Sequence, residues 1–268
     1  MRRRLFRPAQ VSGIGDNFPM DMVVEGAGPK TIVMIHGWPD TYRLWDGQAA
    51  ALKDRYRCVR FTLPGFDAGP KRAYPFEELM ESLKRVVEQT RAGGRVILLV
   101  HDWGCLFGYQ FATRYPELVE RIVGVDIGDA GSRQHLAEIG AKGKFLVLAY
   151  QMWLALAWVM RSDAMARSMA RWIGGRSGQG PVYAQMGYLY AMRWFGVAGG
   201  LRGFKVFKPQ CPMLYIYGER KPFMFHSRAW ASRLRSIGFP TGHWVMLQAP
   251  EAFNRAVLDW LEETEARG

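Results

Sequence analysis

The stretch Arg95-Val-Ile-Leu-Leu-Val-His-Asp-Trp-Gly-Cys-Leu-Phe-Gly108 decides the fold. The apolar run 96–100 is typical of a strand buried on both faces, because no polar residue alternates with the apolar ones. The run ends abruptly, and a helical pattern follows over residues 105–115. The segment therefore predicts a strand, a sharp turn and a helix, with the carboxylic acid of Asp102 at the apex of the turn.

A carboxylate at such an apex indicates displacement at an sp³ carbon. Attack on an acyl carbon would give a mixed anhydride, whereas displacement gives an alkyl ester on the enzyme. Water must then cleave that ester at the carbonyl of Asp102 itself. The predicted reaction class is alkyl transfer to water, either epoxide opening or carbon–halogen hydrolysis. The alternative is structural, because Asp is also a favoured N-cap of helices.

The composition is that of a globular protein with a basic surface. The chain has 268 residues, of which 49% are hydrophobic, which suffices for one domain with a large core and an inserted subdomain. The net charge is +12, but the basic residues are scattered and form no nucleic-acid-binding motif. This pattern favours a solvated surface over nucleic-acid binding, with an anionic membrane surface as the alternative.

Cysteine usage and the N-terminus predict a cytoplasmic protein. Cys58, Cys105 and Cys211 lie in apolar contexts, which predicts buried free thiols and a reducing compartment. No apolar segment of the signal-peptide kind follows Met1-Arg-Arg-Arg. No cluster of ligands has metal-binding spacing, so neither a metal nor a cofactor is expected.

Strand and helix patterns alternate along most of the chain, which predicts a mostly parallel sheet. Residues 132–205 interrupt this alternation with a helical block rich in Trp, Met and Tyr. We interpret the block as a cap over the carboxyl ends of the strands, where open α/β sheets bind ligands. The predicted organisation is a core of residues 1–131 and 206–268 with a cap of residues 132–205.

One cap segment, residues 145–160, has no charged side chain. A helix that spans a bilayer needs about 20 such residues, so the segment favours a helix buried in the cap over membrane contact. The other predicted elements are strands at 31–35, 58–62, 121–127, 213–217 and 237–239, helices at 44–52, 75–91, 227–236 and 249–263, and an opening β-ribbon over 5–30.

Four short motifs together carry a family resemblance. They are His36-Gly-Trp-Pro39, His101-Asp-Trp-Gly104, Arg114-Tyr-Pro-Glu117 with Val119-Glu-Arg-Ile122, and Gly242-His243. In this order and spacing the chain resembles the α/β-hydrolase superfamily, specifically its Asp-nucleophile branch of epoxide hydrolases and haloalkane dehalogenases. The resemblance spans nearly the whole chain outside the cap. It implies the α/β-hydrolase fold, a mostly parallel central sheet flanked by helices with an inserted helical cap.

The resemblance assigns roles to several residues. Asp102 would be the nucleophile, since Asp tolerates the positive φ of the turn better than most residues. His243 would be the general base that activates water for ester cleavage. The backbone N–H groups of Trp38 and Trp103 would form the oxyanion hole. Val100 departs from the family, which usually has a small residue two positions before the nucleophile.

The third member of the triad is displaced. Lys221 occupies the position after a strand where the family often has Asp. Some dehalogenases of this superfamily carry the acid one strand earlier, and that site matches Asp129 at the end of the 121–127 strand. We therefore favour Asp129 as the residue that orients His243, with Glu219 as the alternative. Asp126 falls inside the predicted strand, which suggests a structural role.

The leaving group distinguishes the two activities. Epoxide opening needs an acid, which two cap tyrosines supply in epoxide hydrolases, and Tyr150 and Tyr190 resemble them, with Tyr188 as a competitor for the second. Halide release needs N–H donors, of which Trp103 is one, but Trp38 stands where dehalogenases often have Asn. The sequence therefore predicts an epoxide hydrolase that converts a hydrophobic small-molecule epoxide and water to a diol. The alternatives are a haloalkane dehalogenase and a non-catalytic ligand-binding protein, and the oligomeric state is left open.

Overall fold

The computed structural model describes residues 9–10, 21–67, 69, 71–174 and 179–266. An eight-stranded sheet in the order β1-β2-β4-β3-β5-β6-β7-β8 forms the centre of this part of the chain. The strands are β1 (Ala9–Gln10), β2 (Met22–Glu25), β3 (Thr31–Ile35), β4 (Arg57–Phe61), β5 (Val96–His101), β6 (Val119–Val125), β7 (Met213–Gly218) and β8 (Arg235–Phe239). Pairing is antiparallel from β1 through β2 to β4 and parallel elsewhere.

Helices follow most strands and cover both faces of the sheet. They are α1 (Asp46–Leu52), α2 (Phe76–Thr90), α3 (Trp103–Arg114), α4 (Arg133–Glu138), α5 (Gly140–Val159), α6 (Asp163–Trp172), α7 (Tyr188–Phe195), α8 (Arg228–Ala231), α9 (Val245–Gln248) and α10 (Pro250–Glu265). The sheet separates two apolar clusters, one with α2, α3 and the helices between β6 and β7, the other with α1, α9 and α10.

The central strands explain why the sheet is buried on both faces. Every residue of β3 and β5 is buried, and both strands are apolar except at their ends. In the parallel register Val33 pairs with Leu98, and Leu98 pairs with Ile122 of β6. Such continuous apolar runs have no solvent face, so helices must pack on both sides. The α/β-hydrolase topology predicted from the sequence is confirmed.

Helices α4 to α7 lie between β6 and β7, within the residues predicted as the cap, and we keep the name cap for residues 132–205. The exact domain boundaries stay predictions. Helix α5 buries Leu154 and Ala155, but Phe145 on its outer face is 69% exposed and Met160, which directly follows the helix, is 65% exposed. The prediction that residues 145–160 are buried is therefore wrong for one face of this helix. None of the described helices is long and apolar enough to cross a membrane.

Two element boundaries differ from the prediction in ways that affect the site. Strand β6 ends at Val125 rather than at residue 127, because its pairing with β7 ends at Val125. The helix predicted over 227–236 is a single turn, α8. The predicted β-ribbon is present as paired β1 and β2, and most of the segment between them lies outside the described residues.

All three cysteines are free thiols, as predicted. Cys58 and Cys105 are buried, but Cys211 is only partly buried. The cytoplasmic location stays a prediction.

Candidate active site

The turn after β5 places Asp102 at a strained apex. Asp102 has φ 52° and ψ −121°, and α3 begins at the next residue. This left-handed conformation is costly for most side chains, and Asp is among those that tolerate it best. A Cβ on Gly104 would lie 2.3 Å from the Ile35 carbonyl oxygen, and a Cβ on Gly37 would lie 2.4 Å from Asp102 Oδ2. Glycine at both positions is therefore a steric requirement of the apex.

The carboxylate of Asp102 is held by backbone donors. The N–H of Trp38 donates to Oδ2 at 2.7 Å. Burial raises the pKa of Asp102, while His243 and the N–H groups of Trp103 and Trp38 oppose this shift by stabilising the charged form. The two donors named from the sequence therefore both bind the carboxylate of Asp102, and their role as an oxyanion hole stays a prediction.

His243 lies in the turn between β8 and α9 and faces Asp102. Its Nε2 is 3.8 Å from Asp102 Oδ1, and its Nδ1 is hydrogen-bonded to Asp126 Oδ2. The ring of His101 lies 4.4 Å away between centroids, and its Nε2 is 3.1 Å from the His243 carbonyl oxygen. Burial lowers the pKa of His101 well below its usual value, so His101 is neutral and adds no charge beside His243.

The prediction that Asp129 orients His243 is wrong. The Asp129 carboxylate accepts hydrogen bonds from the Ser227 N–H at 2.6 Å and from the hydroxyls of Ser227 and Ser132, each at 2.7 Å. It therefore ties the start of the cap to the start of α8. Because β6 ends at Val125, Asp126 is the first residue after the strand and not inside it. The alternative acid, Glu219, is exposed, with its carboxylate beside Gly238.

A cavity of about 330 Å³ opens above Asp102 and His243. Its remaining lining is mostly aromatic and apolar, and includes Trp38, Leu146, Tyr150, Trp172, Ile173, Tyr190, Pro222, Phe223, Phe225 and Trp244. Arg220, Lys221 and Gln248 add polar groups on one side. A second, narrower space of about 70 Å³ shares Asp102, Tyr150, Tyr190 and Phe225 with it. Such a lining is suited to an apolar small molecule whose reacting atom sits at Asp102.

The two cap tyrosines named from the sequence both line the cavity. The rings of Tyr150 and Tyr190 lie 6.1 Å apart, and the Tyr190 ring is 5.4 Å from Trp103. Burial raises the pKa of both hydroxyls, so both are protonated at neutral pH and can donate a proton or hydrogen bond. The competitor Tyr188 packs against Phe66 and Tyr74 and does not line the cavity.

The model of the alpha/beta hydrolase family matches residues 32–256. The chain belongs to the alpha/beta hydrolase family. This α/β hydrolase is 33% identical to epoxide hydrolase 1 of Caenorhabditis elegans over 115 residues, which are 41% of this chain and 28% of that protein. It is 31% identical to a cis-3-alkyl-4-alkyloxetan-2-one decarboxylase of Xanthomonas campestris over 104 residues, 35% of each chain. These matches cover about a third or less of each curated relative.

Solved structures show the same fold. A putative epoxide hydrolase of Pseudomonas aeruginosa superposes on this α/β hydrolase with a TM-score of 0.69 at 20% identity, covering 92% of this chain and 93% of that one. An inhibitor complex of the Bacillus megaterium epoxide hydrolase gives 0.66 at 18% identity, covering 91% and 96%. A marine microorganism esterase gives 0.61 at 15% identity, covering 90% and 98%. At 20% identity or less, these likenesses show the fold alone.

The sequence did not reveal the partner of His243 in this α/β hydrolase. Asp102 and Asp126 occupy equivalent places in the sheet. Each directly follows the last paired residue of one of two neighbouring strands, His101 of β5 and Val125 of β6, and this equivalence was the available signal. The resemblance placed Lys221 where the family often has the acid but did not predict its contact: the ammonium pairs with Asp126 Oδ1. Among the described residues, no group of His, Cys, Asp and Glu could hold a metal ion.

Proposed function

We propose that this α/β hydrolase converts hydrophobic epoxides to diols through an ester on Asp102. The observation that carries the proposal is the position of that carboxylate: Oδ2 is held by the Trp38 N–H, and Oδ1 is 3.8 Å from His243 Nε2. The carboxylate thus faces a cavity that also presents the hydroxyl-bearing rings of Tyr150 and Tyr190. A nucleophile, a base and a proton donor share one small apolar space.

In the first step, Asp102 Oδ1 attacks one epoxide carbon, and the carbon–oxygen bond of the ring breaks. A hydroxyl of Tyr190 or Tyr150 gives its proton to the departing oxygen, which leaves a tyrosinate and a hydroxyalkyl ester. The strained ring supplies the driving force, and the tyrosine proton prevents the alkoxide from closing the ring again.

In the second step, His243 takes a proton from water, and the resulting hydroxide attacks the ester carbonyl of Asp102. The N–H groups of Trp38 and Trp103 stabilise the oxyanion that forms. Collapse of the tetrahedral intermediate releases the diol oxygen, which takes the proton from His243. The new carboxylic acid of Asp102 returns its proton to the tyrosinate, and the enzyme is restored.

The relatives support this choice of reaction without fixing it. Two of the proteins compared above are named epoxide hydrolases and a third a putative one, and the relative from Xanthomonas campestris is named for an oxetan-2-one. Epoxides and oxetan-2-ones are both strained oxygen rings, so a substrate panel should include both. The predominantly apolar lining of the cavity supports a hydrophobic substrate.

Haloalkane hydrolysis is the second candidate, and one observation favours it. The indole Nε1 of Trp38 is buried and has no hydrogen-bond partner among the described residues. A free donor that lines the cavity beside Asp102 could receive a departing halide together with Trp103. Epoxide opening remains our choice, because two protonated tyrosines serve an alkoxide and a halide needs no proton.

The experiment is intact-protein mass spectrometry of His243→Phe after incubation with aryl epoxides, oxetan-2-ones and haloalkanes. Without its base the variant should accumulate the Asp102 ester. An adduct with the whole epoxide mass supports epoxide opening, and an alkyl adduct lacking halogen favours dehalogenation. The double variant Asp102→Asn/His243→Phe is the control and should stay unmodified. Ligand binding with no adduct from any compound would favour the non-catalytic alternative.

A further inference from the structure

Lys221 is a buried cation inside the proposed triad. It lies in the turn after β7, where the resemblance led us to expect the acid, and its side chain is 7% exposed. Its Nζ and the Gly218 N–H both donate to Oδ1 of Asp126, the latter at 2.9 Å. The other oxygen of Asp126 serves His243. Each oxygen of this fully buried carboxylate therefore has a separate function.

The electrostatic problem that Lys221 addresses arises from the position of His243. The imidazole lies between two carboxylates, with Asp126 at Nδ1 and Asp102 at 3.8 Å from Nε2. In the ester intermediate Asp102 carries no charge, but the charge of Asp126 persists and favours the imidazolium form. An imidazolium cannot take a proton from water, so a histidine in this position needs compensation if it is to act as a base at neutral pH.

The other charged and titratable groups around His243 do not provide that compensation. Burial, and then the charge of Lys221, lower the pKa of His226 to about 4, so its ring is neutral near pH 7. His101 is neutral as well, and Asp129 is occupied by serine donors. The further groups are Asp40, which binds the Trp244 indole N–H at 2.9 Å, and Tyr215, whose pKa burial raises well above its usual value. Arg220 lines the same cavity as His243, but it is exposed to solvent, which screens its charge.

Lys221 itself stays charged because of its partner. Burial lowers the pKa of Lys221, but the charge of Asp126 and the hydrogen bond to it oppose this shift. The ring of Phe225 lies 5.5 Å from Nζ, which gives the ammonium a second favourable contact. In the described part of the chain, Lys221 and His243 are the basic side chains in ion-pair contact with Asp126.

We propose that Lys221 is a positioning residue of the triad, whose ammonium fixes Asp126 at the end of β6 and offsets its charge, so that His243 can take a proton from water during ester cleavage. The acid of the triad follows β6 in this chain instead of β7, and the position after β7 is taken by the cation Lys221. The role of Lys221 in ester cleavage rests on the proposed function. Its effect on the charge around His243 does not depend on which substrate is bound.

Two neutral substitutions separate charge from geometry. Lys221→Gln keeps a donor that can reach Asp126 Oδ1, and Lys221→Met keeps only the aliphatic stem. Lys221→Arg preserves the charge, and Lys208→Met removes one exposed positive charge elsewhere as the control for net charge. We expect the titration midpoint of His243 to be higher in Lys221→Gln than in the wild type, because the charge of Asp126 is no longer offset, and we expect Lys208→Met to leave it unchanged.

The first readout needs no substrate. NMR titration of ¹³C-labelled imidazoles, with His243 assigned through His243→Phe, gives the midpoint in each folded variant. An unmoved midpoint in both Lys221→Gln and Lys221→Met would overturn the inference. This readout decides the charge argument even if no compound ever forms an ester, which is the outcome that would defeat the proposed function.

The second readout is single-turnover kinetics on an epoxide that forms the ester. At pH 6.5 we expect ester cleavage in Lys221→Gln to fall about tenfold while ring opening changes little. The loss should disappear near pH 8.5, and Lys221→Arg should restore the wild-type profile. An equal loss at every pH would show a merely structural role and contradict the proposal.

Discussion

Nδ1 of His243 is hydrogen-bonded to Oδ2 of Asp126, although 117 positions separate the two residues in the sequence. The contact forms because Asp126 directly follows β6 while His243 follows β8, and both strands pair with β7. Asp126 has φ 68°, so both carboxylates of the site stand on left-handed residues at the ends of neighbouring strands. The identity of the third triad member follows from this geometry.

Substitution of Asp126 should impair ester cleavage selectively. Asp126→Asn leaves Asp102 and both tyrosines in place, so the ester should still form. Its hydrolysis should slow by on the order of 10²–10⁴-fold, because His243 loses the acceptor that fixes its tautomer and stabilises its protonated form. Single-turnover rates with a chromogenic epoxide measure the two steps separately. Asp129→Asn and Glu219→Gln are the matched controls, and a slower cleavage in either of them than in Asp126→Asn would contradict the assignment.

Substitution of the nucleophile should abolish turnover and stabilise the fold. Asp102→Asn should retain less than about one-thousandth of the wild-type rate, because an amide does not form the ester. Because burial raises the pKa of Asp102, its charged form destabilises the folded state, and that cost appears as the pH rises through the folded pKa. The melting temperature of Asp102→Asn should therefore exceed that of the wild type at pH 7–8 by a few degrees.

The raised pKa of Asp102 also determines how the difference in melting temperature between Asp102→Asn and the wild type depends on pH. Well below the ordinary Asp pKa of about 4, Asp102 is protonated in both the folded and the unfolded state, and the advantage of Asn should vanish. Thermal melts of both proteins from about pH 2.5 to pH 8 test the sign. A melting temperature of Asp102→Asn below that of the wild type throughout would show that the carboxylate stabilises the fold.

Asp129 should affect stability with the opposite pH dependence. Burial raises the pKa of Asp129, but hydrogen bonds from Ser227 and Ser132 outweigh it and leave the pKa lowered. The stabilisation is therefore complete above the ordinary carboxyl pKa of about 4 and is lost as the pH falls through the lower folded value. Asp129→Asn should cost about 1–2 kcal/mol at pH 7, since the carboxylate is partly exposed. Urea melts at pH 7 and pH 3 should show the difference shrinking at the lower pH.

The cap tyrosines should matter for epoxides and not for haloalkanes. Tyr190→Phe and Tyr150→Phe should each slow ring opening about tenfold, and the double variant by about 10²–10⁴-fold. Adduct formation with a haloalkane needs no proton and should be unaffected. Tyr188→Phe is the control: its buried hydroxyl has no hydrogen-bond partner among the described residues, so its removal should leave rate and stability unchanged. Unimpaired epoxide opening in the double variant would remove both tyrosines from the mechanism.

The sequence predicted the fold and the apex of the site because both are local signals. An apolar run that ends at Asp102, with glycine two residues later, indicates the turn without knowledge of any distant partner. His243 was assigned as the base through the family resemblance, and its place between the last predicted strand and the closing helix agrees with that role. These signals depend on patterning over a few residues, which the strand register preserves.

The third triad member escaped prediction because it depends on where β6 ends. If β6 ended at residue 127, Asp126 would lie inside the strand. Because the strand ends two residues earlier, at Val125, Asp126 is the first residue after it. Apolar patterning could not detect this end, because Ile127 extends the apolar run although pairing with β7 stops at Val125. The role of Lys221 was not predicted for a related reason. Its ion pair with Asp126 joins the ends of two neighbouring strands, and such a contact depends on the order of strands in the sheet and not on sequence spacing.

The order of the strands has a consequence for how the active state is reached. Synthesis runs from the N-terminus, and domains form their long-range pairings late. Asp102 and its turn can assemble once β3 and β5 have paired, but His243 arrives only when β8, the last strand, has docked on β7. A turnover assay therefore counts only the molecules whose C-terminal strand is in place. Incompletely folded chains contribute no turnover to the assay, so the specific activity of a preparation measures the fraction of its molecules that are completely folded.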